Sequence, residues 1–580
     1  MDAKTFFTSP NNSSQKRYEA LKAFYCGGVS PNDILQQFGF SSSYFKKVRS
    51  EFIQSLKNGI NPFFETKKTG PKARRIQVDL IEKIVLFRKR NFSISDIKAA
   101  LHADNQSLSL DTIDKILKDE GFAPLPKRSH QERIETSIPQ KITTSRSAEL
   151  ILTNEEFTTE HAAGCLLFLP LLHSLGIIDA IKKAAFPKTN DLSDLQMILS
   201  FLALKLMGNK RWSHDTDWNM DRALGFFAGL NVLPKSTTLS TYSYRVTRSS
   251  NYELLKQLSL IFKDVENDAG DFNLDFKAIP HWGDDSILEK NWCGSRSKAM
   301  KSILSLIVQN PGTNYISYTN AELNHDTQND AVLDFVDFWT EGTGTAPKML
   351  IFDSKLTTYQ NLDKLNKSKE GIKFLTLRRR GKSLIAQTNA IPESEWQYVF
   401  IERSKGKKQK IRIHDGRCKL RHYEGEVREI ILTDHGRERP TFLITNDFET
   451  DAKDLIKKYA RRWLVEKEIA EQIVFFHLNT PSSSIVVKVD FDLTLSVLAH
   501  NLYQYVAKKI PGFENCNADT IFRKFFSNGA KIKVLDGVAT IQLKKKTHLP
   551  LLMELPWLKT VTHLPWREDL KIAFEASTST

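Results

Sequence analysis

Tyr459, Arg462 and Glu466 stand three and four residues apart in a run that lacks Gly and Pro. Residues 451–476 repeat apolar residues at helical spacing, so the run reads as one helix with Tyr459, Arg462, Glu466, Ile469 and Ile473 on a shared face. A carboxylate on a partly apolar stripe is costly to bury unless it is paired or holds a metal ion. The plain alternative is an Arg462–Glu466 salt bridge beside a core stripe. Two aspartates lie upstream. Asp275 sits inside 272–280, which alternates apolar and polar residues as a strand does, and Asp353 lies near the end of the apolar strand 348–354. A lone strand-end aspartate is usually only polar punctuation. Asp284 and Asp285, just past the first strand, compete with Asp275 for its place.

The elements around these residues follow a definite order. Strands over 302–309 and 314–319 flank the hairpin turn Asn310-Pro311-Gly312, a helix covers 331–339, and another covers 356–365 after the Asp353 strand. Strand-like runs at 397–402, 410–413, 427–433 and 441–445 mark a β-rich insertion ahead of the 451–476 helix. Arg378, Arg379 and Arg380 open it and suit a phosphate backbone. Gly381-Lys382-Ser383 is not a phosphate loop, because position 376 is Thr where that motif needs Gly. Three strands, a helix and an acid-ended strand resemble the core of the ribonuclease-H-like fold. That resemblance implies carboxylates from two strands and a later helix converging on one site. Such a cluster repels itself unless cations neutralise it, and hard oxygen ligands suit Mg²⁺ or Mn²⁺.

Composition points to a polyanion partner: the 580 residues carry a net charge of +15 with pI near 9.3. The charge clusters early. A helix over 18–27, a second over 32–38 capped at Ser30-Pro31, the Gly39 turn and a third helix over 42–51 form a helix-turn-helix pattern. Lys46, Lys47 and Arg49 lie on its recognition helix. A similar pattern recurs over 78–90, 94–101 and 111–119. Between the two, 67–90 holds nine basic residues against two acidic ones, and Lys72, Arg74 and Arg75 follow Gly70-Pro71 in an extended arm suited to a backbone or minor groove. Further on, 233–245 reads as a Ser-capped helix whose hydroxyls and Arg245 could hold phosphates. The bland alternatives are a charged linker between small bundles and a plain surface helix.

The five cysteines are scattered and form no C-x-x-C pair, which argues for a reducing compartment and against a disulfide framework. Residues 1–10 lack a secretory pattern, and the apolar run 162–178 is interrupted by Pro170 and His173 and reads as buried helix, so no membrane is expected.

With these residues in view, the chain resembles the bacterial insertion-sequence transposases of the DDE class, in the group whose core is split by a β-insertion and whose last acid lies in a Tyr-x2-Arg-x3-Glu-x6-Lys signature. Tyr459, Arg462 and Glu466 match it in type and spacing, whereas position 473 is Ile where the signature has Lys. The resemblance covers about 233–500. It implies that Asp275, Asp353 and Glu466 hold two Mg²⁺ or Mn²⁺ ions, that Tyr459 and Arg462 grip phosphate near the cut end, and that the chain acts on double-stranded DNA as a dimer or larger assembly. It also implies cleavage at transposon ends and strand transfer into target DNA, in the cytoplasm at the nucleoid.

The expected fold is mixed α+β: N-terminal helix-turn-helix domains, then a ribonuclease-H-like α/β core with a β-rich insertion. The expected divisions are helix-turn-helix domain 1–62, basic arm and second helix-turn-helix domain 63–130, linker 131–150, helical domain 151–265, core 266–375, insertion 376–450, core helices 451–510 and a basic hairpin with a tail over 511–580. The competing reading is a catalytically silent or domesticated DNA-binding regulator that keeps the core as a scaffold.

Overall fold

The computed structural model describes residues 12–59, 61–63, 78–89, 92–103, 106–123, 125, 155–210, 218–266, 270–281, 288–293, 297–402, 408–436, 439–477 and 485–577, with backbone alone for 78, 79, 99, 103, 264–266, 402 and 463–474. The chain divides into two compact units, Met1–Arg75 and Ile76–Thr580.

In the first unit, helices α1 (Ser13–Tyr25), α2 (Pro31–Phe38) and α3 (Ser42–Lys57) close on Ala20, Leu21, Ile34, Phe38, Phe45 and Val48. Ser30 and Ser41 accept bonds from the Asp33 and Tyr44 amides and so start α2 and α3. Gly39 takes φ 61°, the left-handed turn that brings α3 round after α2.

The second unit opens with α4 (Val78–Lys89), α5 (Ile94–Ala103) and α6 (Leu110–Asp119). Their small core of Ile84, Ile97, Leu101, Ile113 and Ile116 is completed by Val487, from the long helix near the end of the core. The Lys89 ammonium donates to the Val246 carbonyl, and burial pushes its pKa down to about 7. The apolar run read as one buried helix is instead three short ones, Ala163–Leu166, Leu169–Ser174 and Ile177–Lys183. They are broken where Pro170 lacks an amide hydrogen and Gly176 turns at φ 72°. Among the described residues no single helix is long and apolar enough to cross a membrane.

After the helix α7 (Arg248–Glu266) come β2 (Asp271–Pro280), β3 (Lys290–Cys293), β4 (Lys298–Gln309) and β5 (Ile316–Leu323), with β1 (Glu156–Thr159) lying earlier. Helix α8 (Ala331–Thr343), β6 (Met349–Phe352), α9 (Tyr359–Asn366) and β7 (Lys373–Leu377) follow. In the ten-stranded sheet β4 lies antiparallel to β2 and β5, while β6 and β7 run parallel to β2. The insertion strands β8 (Gln397–Glu402), β9 (Lys408–Cys418), β10 (Val427–Thr433) and β11 (Thr441–Thr445) do not stand apart: β11 pairs with β7, and the other three extend the same sheet outward. The sequence reading missed β3 and β7, because each is short and β7 runs straight into the arginine cluster.

Parallel strands need cover on both faces. Phe335, Phe338 and Trp339 of α8 pack on Phe272 and Tyr318 on one side. On the other, Leu455, Ile456 and Tyr459 of α10 (Ala452–Phe476) pack on Met349, Ile351, Leu375 and Leu443. Helix α11 (Val486–Lys509) closes the open edge of β5 with side chains: Asn501 bonds both the amide and the carbonyl of Ile316, and Asp490 accepts the Ala321 amide at 3.1 Å. Asp490 also takes bonds from Arg248 at 2.7 Å and Asn251 at 2.8 Å, tying α7, α11 and β5 together. The C-terminal segment read as a hairpin and tail builds a second sheet. The hairpin β12 (Ala530–Leu535) and β13 (Val538–Leu543) turns at Asp536-Gly537, both at positive φ, with β1 beside β12 and the final strands β14 (Thr562–Leu564) and β15 (Arg567–Ala576) beyond β13.

Asp490→Ala leaves the buried Arg248 guanidinium without its carboxylate, with the Tyr318 hydroxyl and Thr319 carbonyl as its remaining acceptors among the described residues, and is expected to cost about 3–5 kcal/mol in denaturant unfolding. His500 is fully buried, donates to the Asn314 carbonyl at 2.9 Å, and has its pKa lowered to about 4 by burial. Because the unfolded state binds the proton more tightly, stability is expected to fall by about 3 kcal/mol as pH drops from 6.5 to 4. Unfolding midpoints of wild type and His500→Gln across that range check this; the variant should lose that part of the slope.

Candidate active site

Asp275 and Asp353 meet through strand register. β2 and β6 run parallel with Asp271 opposite Met349 and Leu274 opposite Phe352, so each aspartate is the next residue after the last paired position. Alternation decides which way they face. Leu350 and Phe352 belong to the core on the α8 side, whereas Met349 and Ile351 belong to the α10 side, which Asp353 continues. Phe272 and Leu274 likewise point to α8, leaving Asp271, Asn273 and Asp275 toward α10. The Asp353 carboxylate turns back to accept the Ser354 amide at 2.6 Å and its hydroxyl at 3.2 Å, which ends the strand there.

Helix α10 starts at Asp451, whose carboxylate accepts the Lys453 amide at 2.8 Å. Its first half is held by apolar packing and its middle by charge. Lys458 Nζ lies 2.7 Å from Asp271, and one turn on Arg462 Nη1 lies 4.0 Å from Asp275. Arg462 is only 5 % exposed, and its guanidinium sits 5.3 Å from the Tyr459 ring. The Tyr459 phenol is pushed up to about 12 by burial, reinforced by the Asp353 and Asp275 carboxylates and opposed by Arg462. At neutral pH it is therefore a hydrogen-bond donor. Glu466 follows Arg462 by one further turn of the same helix; its side chain lies outside the described residues, as do Asp284 and Asp285.

Two aspartates, a buried arginine and a protonated tyrosine thus share one spot. Among the described residues no three His, Cys, Asp or Glu side chains gather as a metal group. Asp275 and Asp353 offer hard carboxylate oxygens, the donor type that suits Mg²⁺ or Mn²⁺. Between Asp271 and Asp275 the side chain of Asn273 is fully buried, and among the described residues neither its amide nitrogen nor its oxygen has a hydrogen-bond partner. Sequence reasoning passed over Asp271, Asn273 and Lys458. The signal was there: Asp271, Asn273 and Asp275 alternate on one strand face, and Lys458 precedes Arg462 by one helical turn.

The remaining residues are spread more widely. Arg379 donates to the Ser354 carbonyl at 3.4 Å, next to Asp353. Arg378 is instead engaged by Glu429 at 2.6 Å. Arg245 donates to the Lys188 carbonyl, and Ser236 is the first residue of a helix Ser236–Ser243 rather than its cap. On α3, Lys46 and Lys47 are exposed, whereas Arg49 lies over Phe24 with its guanidinium carbon 3.9 Å from the ring centre. Lys72, Arg74 and Arg75 lie outside the described residues.

No family model matches the chain, and no curated protein matches it either. Among solved structures, it is similar to the piggyBac transposase in a cryo-EM synaptic complex with hairpin DNA. The identity is 11 % and the TM-score 0.36, over 64 % of this chain and 82 % of that one.

An unpartnered buried amide is destabilising, so Asn273→Leu is expected to raise stability by about 1–2 kcal/mol. Denaturant melts check this, and a fall in stability would mean the amide is satisfied in solution.

Proposed function

We propose that this chain is a DDE-type DNA transposase that cuts transposon ends and joins them to target DNA. The observation that carries the proposal is the common register of Asp275 and Asp353 at the end of paired parallel strands, beneath the helix that bears Tyr459, Arg462 and Glu466. The strand order β5-β4-β2-β6-β7, antiparallel then parallel, supports a ribonuclease-H-like core. The capped helices α2 and α3 support a helix-turn-helix reader whose exposed Lys46 and Lys47 would meet double-stranded DNA, with the 67–75 arm and the second bundle as further contacts.

In this reading Asp275, Asp353 and Glu466 hold two Mg²⁺ or Mn²⁺ ions. Bound, the ions would activate the attacking water or 3′-hydroxyl and stabilise the leaving oxygen of the phosphodiester. The chain's own groups do the positioning. Arg462, already desolvated, offers a planar fork to a phosphate at no further burial cost, and the approach of substrate would draw it from Asp275. Tyr459 keeps its proton and donates to a phosphate oxygen. Arg379, near the Asp353 loop, adds positive charge where the scissile strand enters. Two chains on two paired ends, as the resemblance implies, would make the working assembly, acting at the nucleoid.

The test is cleavage of labelled DNA carrying the element's own ends, with Mg²⁺ or with EDTA. Asp353→Asn and Glu466→Gln are each expected to lower the rate about a hundredfold or more, the loss of several kcal/mol of transition-state stabilisation, while retaining end binding. Cutting that survives both substitutions would sink the assignment. End binding without any cutting by wild type would favour the regulator.

A further inference from the structure

We infer that the outermost strands, β8 and β9, form a platform for an unpaired nucleic-acid strand, on the sheet face opposite the carboxylates. Val399, Ile401, Ile411 and Ile413 pack on the α10 side. Alternation therefore sends Tyr398, Phe400, Lys410 and Arg412 to the other side, in cross-strand register Tyr398 with Arg412 and Phe400 with Lys410. There Tyr398 is 56 % exposed and Phe400 53 %, two large rings side by side in water. Cations lie beside the aromatic rings of this face. Lys410 Nζ lies 3.8 Å above the Tyr398 ring, and Arg412 stacks at 4.3 Å on Trp396. Arg412 is also paired with Glu393 at 2.8 Å, and Glu395 lies 3.2 Å from His414, so that rim carries no excess positive charge. Lys408 and Lys410 give the platform its charge.

Adjacent exposed rings are costly to leave in water unless something stacks on them. Bases present flat π-faces, but in a duplex those faces are already used, so a ring pair on an open sheet discriminates for unpaired strands. Charge favours a polyanion over a protein partner: residues 402–410 contain five basic side chains against one acidic, Glu402, which stands opposite Lys408 in the register. Cations set beside the rings would track the phosphates while the rings hold the bases. Strand cleavage and transfer expose unpaired ends and displaced strands, which gives such a platform a use. It involves none of the residues of the candidate active site, so either can fail without the other.

The experiment is fluorescence anisotropy of the full chain with a labelled oligothymidylate of about 16 nucleotides and with a duplex of equal length. Tyr398→Ala/Phe400→Ala is expected to bind the single strand about tenfold or more weakly while duplex affinity stays within about twofold, because each stacked base is worth about 1–3 kcal/mol. Lys408→Gln/Lys410→Gln should flatten the salt dependence for the single strand by about 1.4 in logarithmic slope, the value for two lost phosphate contacts. Ultraviolet cross-linking of wild type to the oligothymidylate should place the adduct on the peptide holding Tyr398 and Phe400, a readout that needs no variant to fold. Single-strand affinity unchanged in both variants, or an adduct confined to other peptides, would overturn the inference. So would sedimentation in which the aromatic variant loses self-association with its oligonucleotide affinity intact, since β8 is a sheet edge and would then join two copies.

Discussion

The parallel pairing of β2 with β6 is the constraint from which the rest of the core follows. A parallel pair cannot be made by a tight turn and cannot leave a face bare, so the chain must travel away and return with a layer on each side. β4 and β5, α8 and the turn into β6 make that excursion. One layer is α8, with its rings on Phe272 and Tyr318; the other is α10. Where the pairing stops, β6 ends while β2 runs on beside β4, and the next residue of each strand stands at one level. The residues that stand there are Asp275 and Asp353.

Placing carboxylates under a helix invites a desolvation penalty, and the local arrangement answers it with opposite charge. Lys458 meets Asp271 and Arg462 faces Asp275, so the acidic strand face and the basic helix face are matched four residues by four. This matching, with the apolar packing of Leu455, Ile456 and Tyr459, sets the rotation of α10 over the sheet. Asn273, buried between the two pairs, has an amide with no hydrogen-bond partner among the described residues and so costs stability.

Further from the site, side chains do what backbone pairing cannot. α11 offers Asn501 and Asp490 to an edge strand whose amides would otherwise be unmet, and Asp490 in turn neutralises Arg248. The same helix supplies Val487 to the α4–α6 bundle, which is too small to fill its own core. One helix thus covers the edge of the sheet and seats a separate bundle.

Much of this was legible in the residues themselves. Local chemistry determined the capped start of α2, the Asp536-Gly537 hairpin, the alternation of β2, the strand-like run of β10 and the uninterrupted helical run of α10, because each depends on neighbours within a few positions. The candidates Asp275, Asp353, Tyr459 and Arg462 were visible as polar residues placed against apolar patterns. What stayed hidden depended on partners far along the chain. That β8 to β11 would continue the core sheet, that β15 would be a strand rather than a tail, and that one apolar run would break into three helices rest on pairing and packing across hundreds of residues. Likewise spacing alone offered Arg462 only Glu466 as a partner, whereas the seating of α10 over β2 also brings its guanidinium to 4.0 Å from Asp275. A side chain's type follows from the sequence, but its partner is chosen by whichever strand or helix the whole fold brings within reach.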